Sequence, residues 1–138
     1  MVARSREAKS LGIKMGVPVF QIKAEMQRHG ILAFSSNYAL YADLSSRVMR
    51  TLEEMAPRVE VYSIDEAFLD LTGIESAISL VEFGQQVRDR IGHWIGITVC
   101  VGIAPTKTLA KLANHAAKKY PATQGVVDLT NPDRQRRL

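Results

Sequence analysis

Apolar residues recur at intervals of four between Asn37 and Met55. Leu40, Leu44, Val48 and Leu52 fall on one stripe, with Tyr41, Met55 and Ala56 on or beside it. That period predicts an amphipathic helix, and Pro57 stops it. The pattern then changes. Val59–Ser63 and Ala67–Leu71 read as two short strands joined by a tight turn. A second helix is expected from about Ser76 to Gly92, with Ile78, Val81, Val87 and Ile91 on its inner side. Ile95–Ile103, dense in β-branched residues, reads as a buried strand. A helix from Thr106 to Lys119 follows, stopped by Pro121, then a short edge strand at Val126–Asp128. Asn131–Leu138 reads as the opening of a helix that is not completed. Upstream, Ser5–Leu11 reads as a short helix stopped at Gly12, and residues 19–29 as another, ended by Gly30. Ile31–Ser35 looks like a connecting strand.

Helix, two strands, helix, strand, helix, strand is the order of an α+β sandwich, with one antiparallel or mixed sheet and helices packed on one face. The length of 138 residues suffices for one domain with a real core, and 46% apolar and 23% charged residues are ordinary for a soluble globular chain. No apolar run approaches a membrane span and no signal pattern opens the chain, so a cytoplasmic location is the default expectation. Cys100 is expected to be a small buried hydrophobe. His29, His93 and His115 have no metal-ligand spacing.

Charge is distributed unevenly. Residues 1–30 carry a net +4, residues 31–103 a net −5 and residues 104–138 a net +5. An acidic centre between basic ends suits a cation site surrounded by phosphate-binding surface; it also suits a protein whose exposed ends happen to be basic.

The acidic centre has a focus. Asp65 and Glu66 interrupt the two strands of the hairpin. Successive side chains in a strand point to opposite faces, so adjacent acids converge only at a turn or a strand start. Two hard carboxylates held there leave room for water and phosphates, as a magnesium site requires. A solvated hairpin tip is the competing reading. In the helix after the buried strand, Leu109, Leu112, Ala113 and Ala116 share one stripe, and Lys107, Lys111, Asn114 and Lys118 the opposite one. Thr106 is a plausible N-cap, and lysines in the first turns add charge where backbone N–H groups already favour anions. An ordinary lysine-rich solvent face is the alternative. The segment Gly102-Ile103-Ala104-Pro105-Thr106-Lys107 is not a P-loop.

Three segments together resemble Y-family (translesion) DNA polymerases. Tyr62-Ser63-Ile64-Asp65-Glu66-Ala67-Phe68-Leu69-Asp70 is similar to their central active-site motif, residues 101–113 to a later palm motif, and residues 7–16 to the fingers motif. Phe34-Ser35-Ser36-Asn37-Tyr38, Leu40-Tyr41-Ala42-Asp43, residues 110–119 and residues 125–129 resemble the UmuC branch, the catalytic subunit of bacterial DNA polymerase V. The similarity covers essentially the whole chain.

This resemblance implies partial fingers at 1–35 and a palm at 36–138, with the first palm strand, thumb and little finger absent. It implies that Asp65 and Glu66 are two of three carboxylates holding a pair of Mg²⁺ ions for transfer of a deoxynucleotide to a primer 3′-hydroxyl. Lys111 matches the palm lysine on the triphosphate. Lys9 stands where many members have an arginine on the triphosphate and the UmuC branch has lysine. Ser5 and Arg6 replace an Asn-Tyr or Asn-Ala pair, and Arg6 could still meet a phosphate. The implied partners are primer-template DNA, dNTP, a UmuD-type accessory dimer, a RecA filament and a sliding clamp, in SOS mutagenic repair. The third carboxylate and the residue that excludes ribonucleotides would precede Met1. The chain alone is therefore expected to be inactive and to self-associate through an exposed sheet edge. A non-catalytic module that binds DNA or polymerase partners through its basic ends is the alternative.

Overall fold

The computed structural model describes residues 2–136. Residues 1–38 and 39–138 form two compact units.

In the first unit, the Ser5 hydroxyl accepts the Ala8 N–H at 3.2 Å and caps α1 (Arg6–Ser10). Ala8 and Ile13 are buried, and Arg4 donates to the Ile13 carbonyl. The helix expected over 19–29 is split into a 3₁₀ turn, Val19–Ile22, and α2 (Lys23–His29), which ends at left-handed Gly30. The strand expected at Ile31–Ser35 does not form. Residues 31–37 belong to no helix or strand.

α3 (Tyr38–Met55) leads into the second unit. Its last two turns supply the buried Met49 and Leu52, whereas Leu40 and Tyr41 of the predicted stripe are exposed. Buried Thr51 satisfies its hydroxyl on the Arg47 carbonyl at 2.9 Å. β1 (Arg58–Val61) and β2 (Ala67–Asp70) pair antiparallel, with Glu60 opposite Phe68 and Val59 opposite Leu69. Residues of one parity (Val59, Ala67, Leu69) pack on the apolar core, and those of the other (Arg58, Glu60, Phe68, Asp70) take the far face.

α4 (Leu80–Ile95) begins later and ends later than the predicted 76–92. Ser79 caps it by accepting the Glu82 N–H at 3.2 Å, and left-handed Gly96, not Gly92, terminates it. Val81, expected inside, is exposed, whereas Phe83, Val87 and Ile91 are buried against Met49, Leu52 and Ala56.

Only Val101–Ile103 of the predicted strand 95–103 is ladder-paired, as β3, which runs parallel to β4 (Val126–Asp128). A strand is defined by its partner, and residues 97–100 have none in any ladder among the described residues. The sheet is thus two halves, β1–β2 and β3–β4, not bonded to each other. α6 (Pro132–Gln135) is capped by Asn131; the final two positions of the helix predicted at 131–138 lie outside the described residues.

α5 (Lys107–Lys119) crosses β3 at very short range. A Cβ added to Gly102 would sit 2.2 Å from the Asn114 backbone nitrogen and 2.3 Å from the Ala110 carbonyl oxygen. On the opposite face of this half-sheet, a Cβ at Gly84 of α4 would stand 2.7 Å from Val126 Cγ1 and 3.5 Å from Val101 Cγ1. The α+β class holds, with α5 as the exception to packing on one face: it covers the side away from α4. Small residues permit the approach. Ala113 is 0% exposed, with Ala116 and Ala117 buried beside it, whereas Leu112, expected inward, is 47% exposed.

Candidate active site: an acidic turn beneath a lysine helix

The turn between β1 and β2 is closed by its own backbone. The N–H groups of Tyr62 and Ser63 both donate to the Glu66 carbonyl at 3.0 Å. The Ser63 hydroxyl donates to Asp65 Oδ1 at 2.7 Å, and the Asp65 N–H donates back to that hydroxyl at 3.3 Å. Two adjacent carboxylates are therefore carried by a fixed loop. Asp65 is exposed and Glu66 half-buried.

α5 brings two lysines, one turn apart, over the far face of the hairpin. Lys111 Nζ lies 3.2 Å from Glu66 Oε2 and 4.4 Å from the centre of the Tyr62 ring. The Glu66 carboxylate, which accepts its hydrogen bond, raises the Lys111 ammonium above its ordinary pKa, and Tyr62 adds to the effect. Lys107 Nζ lies 2.6 Å from Glu60 Oε2 and 5.3 Å from the centre of the Phe68 ring. Tyr62 and Phe68 meet edge-to-face at 5.5 Å.

At the hairpin's other end Arg58 pairs with Asp70. The Thr72 hydroxyl and N–H, donating to Asp70 at 2.6 and 2.9 Å, hold that carboxyl below its usual range, and Arg58 contributes less.

The donor set at the turn fits a small hard divalent cation. Such an ion takes one or two carboxylates and completes its shell with water and phosphate oxygens, and Glu66 already draws an ammonium to 3.2 Å. Among the described residues no group of three or more His, Cys, Asp or Glu could form a protein cage. The turn borders a cavity of about 1180 Å³ whose walls include Asp65, Glu66, Lys107 and Lys111.

Of the residues singled out from sequence, the structure brings together Asp65, Glu66 and Lys111. Arg6 and Lys9 stand exposed on α1 of the first unit. Sequence reasoning missed Glu60, Tyr62 and Phe68 as partners of the lysines. The signal was present in their shared strand parity and in the one-turn spacing of Lys107 and Lys111.

The fold as a whole has counterparts among solved DNA polymerases. The "Insertion ternary complex of Dbh DNA polymerase" matches with a TM-score of 0.76 at 32% identity, over 93% of this chain and 36% of that one. A "Y-family DNA polymerase chimera" built from Dbh and Dpo4 matches at 0.74 and 32%, over 94% of this chain and 37% of the other. The chain belongs to the impB/mucB/samB family, whose model it matches over residues 1–115. Protein UmuC of Salmonella typhimurium (strain LT2) is 60% identical over 139 residues, covering 100% of this chain and 33% of UmuC. The chain thus spans about a third of the length of the curated relatives it matches. No described helix is long and apolar enough to cross a membrane.

Proposed function

We propose that this chain carries part of the nucleotidyl-transfer centre of a UmuC-like translesion DNA polymerase, with residues 1–35 as partial fingers and 36–138 as palm. The observation that carries this reading is the placement of Lys111, 45 residues away in sequence, 3.2 Å from Glu66 on the same turn as Asp65. Carboxylates for a cation and an ammonium for a phosphate in one place are the minimum equipment of phosphoryl transfer.

Asp65 and Glu66 would hold Mg²⁺, which when bound supplies positive charge to phosphate oxygens and lowers the pKa of a hydroxyl nucleophile. Lys111 leaves Glu66 for a triphosphate oxygen of the incoming dNTP, while the Tyr62 ring keeps the ammonium over the turn. Lys107, paired with Glu60, adds a second positive charge one turn away. Arg6 and Lys9 belong to this reading as triphosphate contacts through the resemblance alone. Primer-template DNA is the second substrate. The UmuD-type dimer, RecA filament, sliding clamp and SOS setting belong to this reading through the resemblance alone.

The test is a chimera in which these 138 residues replace the corresponding third of Salmonella typhimurium UmuC, assayed by primer extension. Lys111→Ala should lower dNTP kcat/KM by about 10–100-fold, since a group that meets developing phosphate charge contributes on that scale. Lys107→Ala should have a smaller effect. Equal, negligible effects of both would remove the lysine helix from the chemistry.

A further inference from the structure

Two lysines of α5 stand over the hairpin in matched settings, each with one carboxylate and one aromatic ring. Lys107 has Glu60 and Phe68, and Lys111 has Glu66 and Tyr62. The settings differ in two respects. Lys107 closes on Glu60 at 2.6 Å, whereas Lys111 stands 3.2 Å from Glu66, beyond the ~2.7–2.9 Å that charge-assisted bonds favour. Glu60 lies inside β1, flanked by Val59 and Val61 and facing Phe68. Glu66 follows directly on Asp65, whose carboxylate the Ser63 hydroxyl steadies by one oxygen, Oδ1.

These differences decide which cation each carboxylate prefers. At equal distance a carboxylate attracts a divalent ion twice as strongly as an ammonium. At the turn the divalent ion gains Asp65 as a second ligand, a gain that Glu60 does not offer. An ammonium and a divalent ion on the same Glu66 carboxylate would stand well within a Debye length and repel each other.

We infer that Lys111 is a tethered placeholder for the divalent cation: it holds Glu66 while the turn carries no metal, yields that carboxylate to the ion, and is thereby freed for a phosphate. The freed ammonium keeps its other contact, the Tyr62 ring with its centre 4.4 Å away, and so remains over the turn. Binding of the cation and capture of the phosphate are then coupled, because the charge that opposes the first serves the second, and such coupling is reciprocal. Lys107 stays on Glu60 throughout. This coupling rests on the reading of Asp65 and Glu66 as cation ligands, but it adds a competition which that reading does not require.

The test is a titration of the 138-residue chain with paramagnetic Mn²⁺, followed by broadening of the amides from Tyr62 to Phe68. Lys111→Ala should tighten binding at the turn about three- to fivefold, the factor for losing an exposed ion pair, and Lys107→Ala should tighten it less. A double-mutant cycle separates competition at Glu66 from a general loss of positive charge. In a Glu66→Gln background, Lys111→Ala should have no effect. A second readout follows the lysines themselves. Saturating Mg²⁺ should shift the ε-methylene signal of Lys111, identified by its absence from Lys111→Ala, and leave that of Lys107 in place. Equal tightening by the two alanines, an effect of Lys111→Ala that persists with Glu66→Gln, or an unmoved Lys111 signal overturns the placeholder and leaves Asp65 and Glu66 as ligands. Absence of selective broadening at the turn in every variant overturns both.

Discussion

Asp65→Ala or Glu66→Ala in the UmuC chimera is expected to reduce nucleotide incorporation by about a thousandfold or more, the scale on which preorganised transition-state charge is lost. The physical case is that nothing else at the turn can take over. The hairpin's two other carboxylates are already engaged, Glu60 by Lys107 at 2.6 Å and Asp70 by Arg58. Stability should hardly change. Asp65 is exposed, and its carboxylate accepts from the Ser63 hydroxyl within its own turn. Glu66 forms an ion pair open to solvent, and such pairs contribute little to folding. Unchanged thermal unfolding with lost extension therefore separates a chemical role from a structural one. An active Asp65→Ala variant would return the turn to a solvated hairpin tip.

Gly102→Ala is expected to have the largest effect on folding. Its Cβ would stand 2.2 and 2.3 Å from backbone atoms of α5, and backbone cannot rotate away as a flexible side chain can. Overpacking of a close core contact costs about 1–3 kcal/mol and sometimes more, and here the upper end applies. For a chain of this size, about 3 kcal/mol lowers Tm by roughly 10 °C. The consequence reaches the site, because α5 moved off β3 carries Lys107 and Lys111 away from Glu60 and Glu66. Differential scanning calorimetry measures the first effect. A variant with native Tm would mean that α5 does not approach β3 as described.

Much of this arrangement is legible in the sequence. The acidic pair breaking two alternating runs marks the turn, and strand parity separates Val59 and Leu69 from Glu60 and Phe68. Thr106 caps α5 as its sequence position suggests, and Ser5 and Asn131, read as the first residues of their helices, are the caps. Other features depend on tertiary context. The run 95–103 is dense in β-branched residues on both sides of Cys100, so local pattern cannot separate its three paired residues from those without a ladder partner. Two glycines, 92 and 96, could each end α4, and the one in left-handed conformation does so. The start of α4 had a readable signal: Ser79 followed three residues later by Glu82 is the pattern of a helix N-terminus. Leu112 illustrates the converse. It lies on the helical stripe with Leu109 and Ala116, yet the close approach of α5 to Gly102 selects the alanine side for burial and leaves the leucine in water.

Asp65 and Glu66 are proposed to hold a divalent cation. Titrating the ¹⁵N-labelled chain with Mn²⁺, a paramagnetic stand-in for Mg²⁺, tests it directly without requiring activity. The expected result is selective broadening of the amides from Tyr62 to Phe68 at the lowest Mn²⁺ concentrations, reversed by excess Mg²⁺ and lost in Asp65→Asn with Glu66→Gln. Broadening spread evenly over the acidic surface, or unchanged in that double variant, would contradict it.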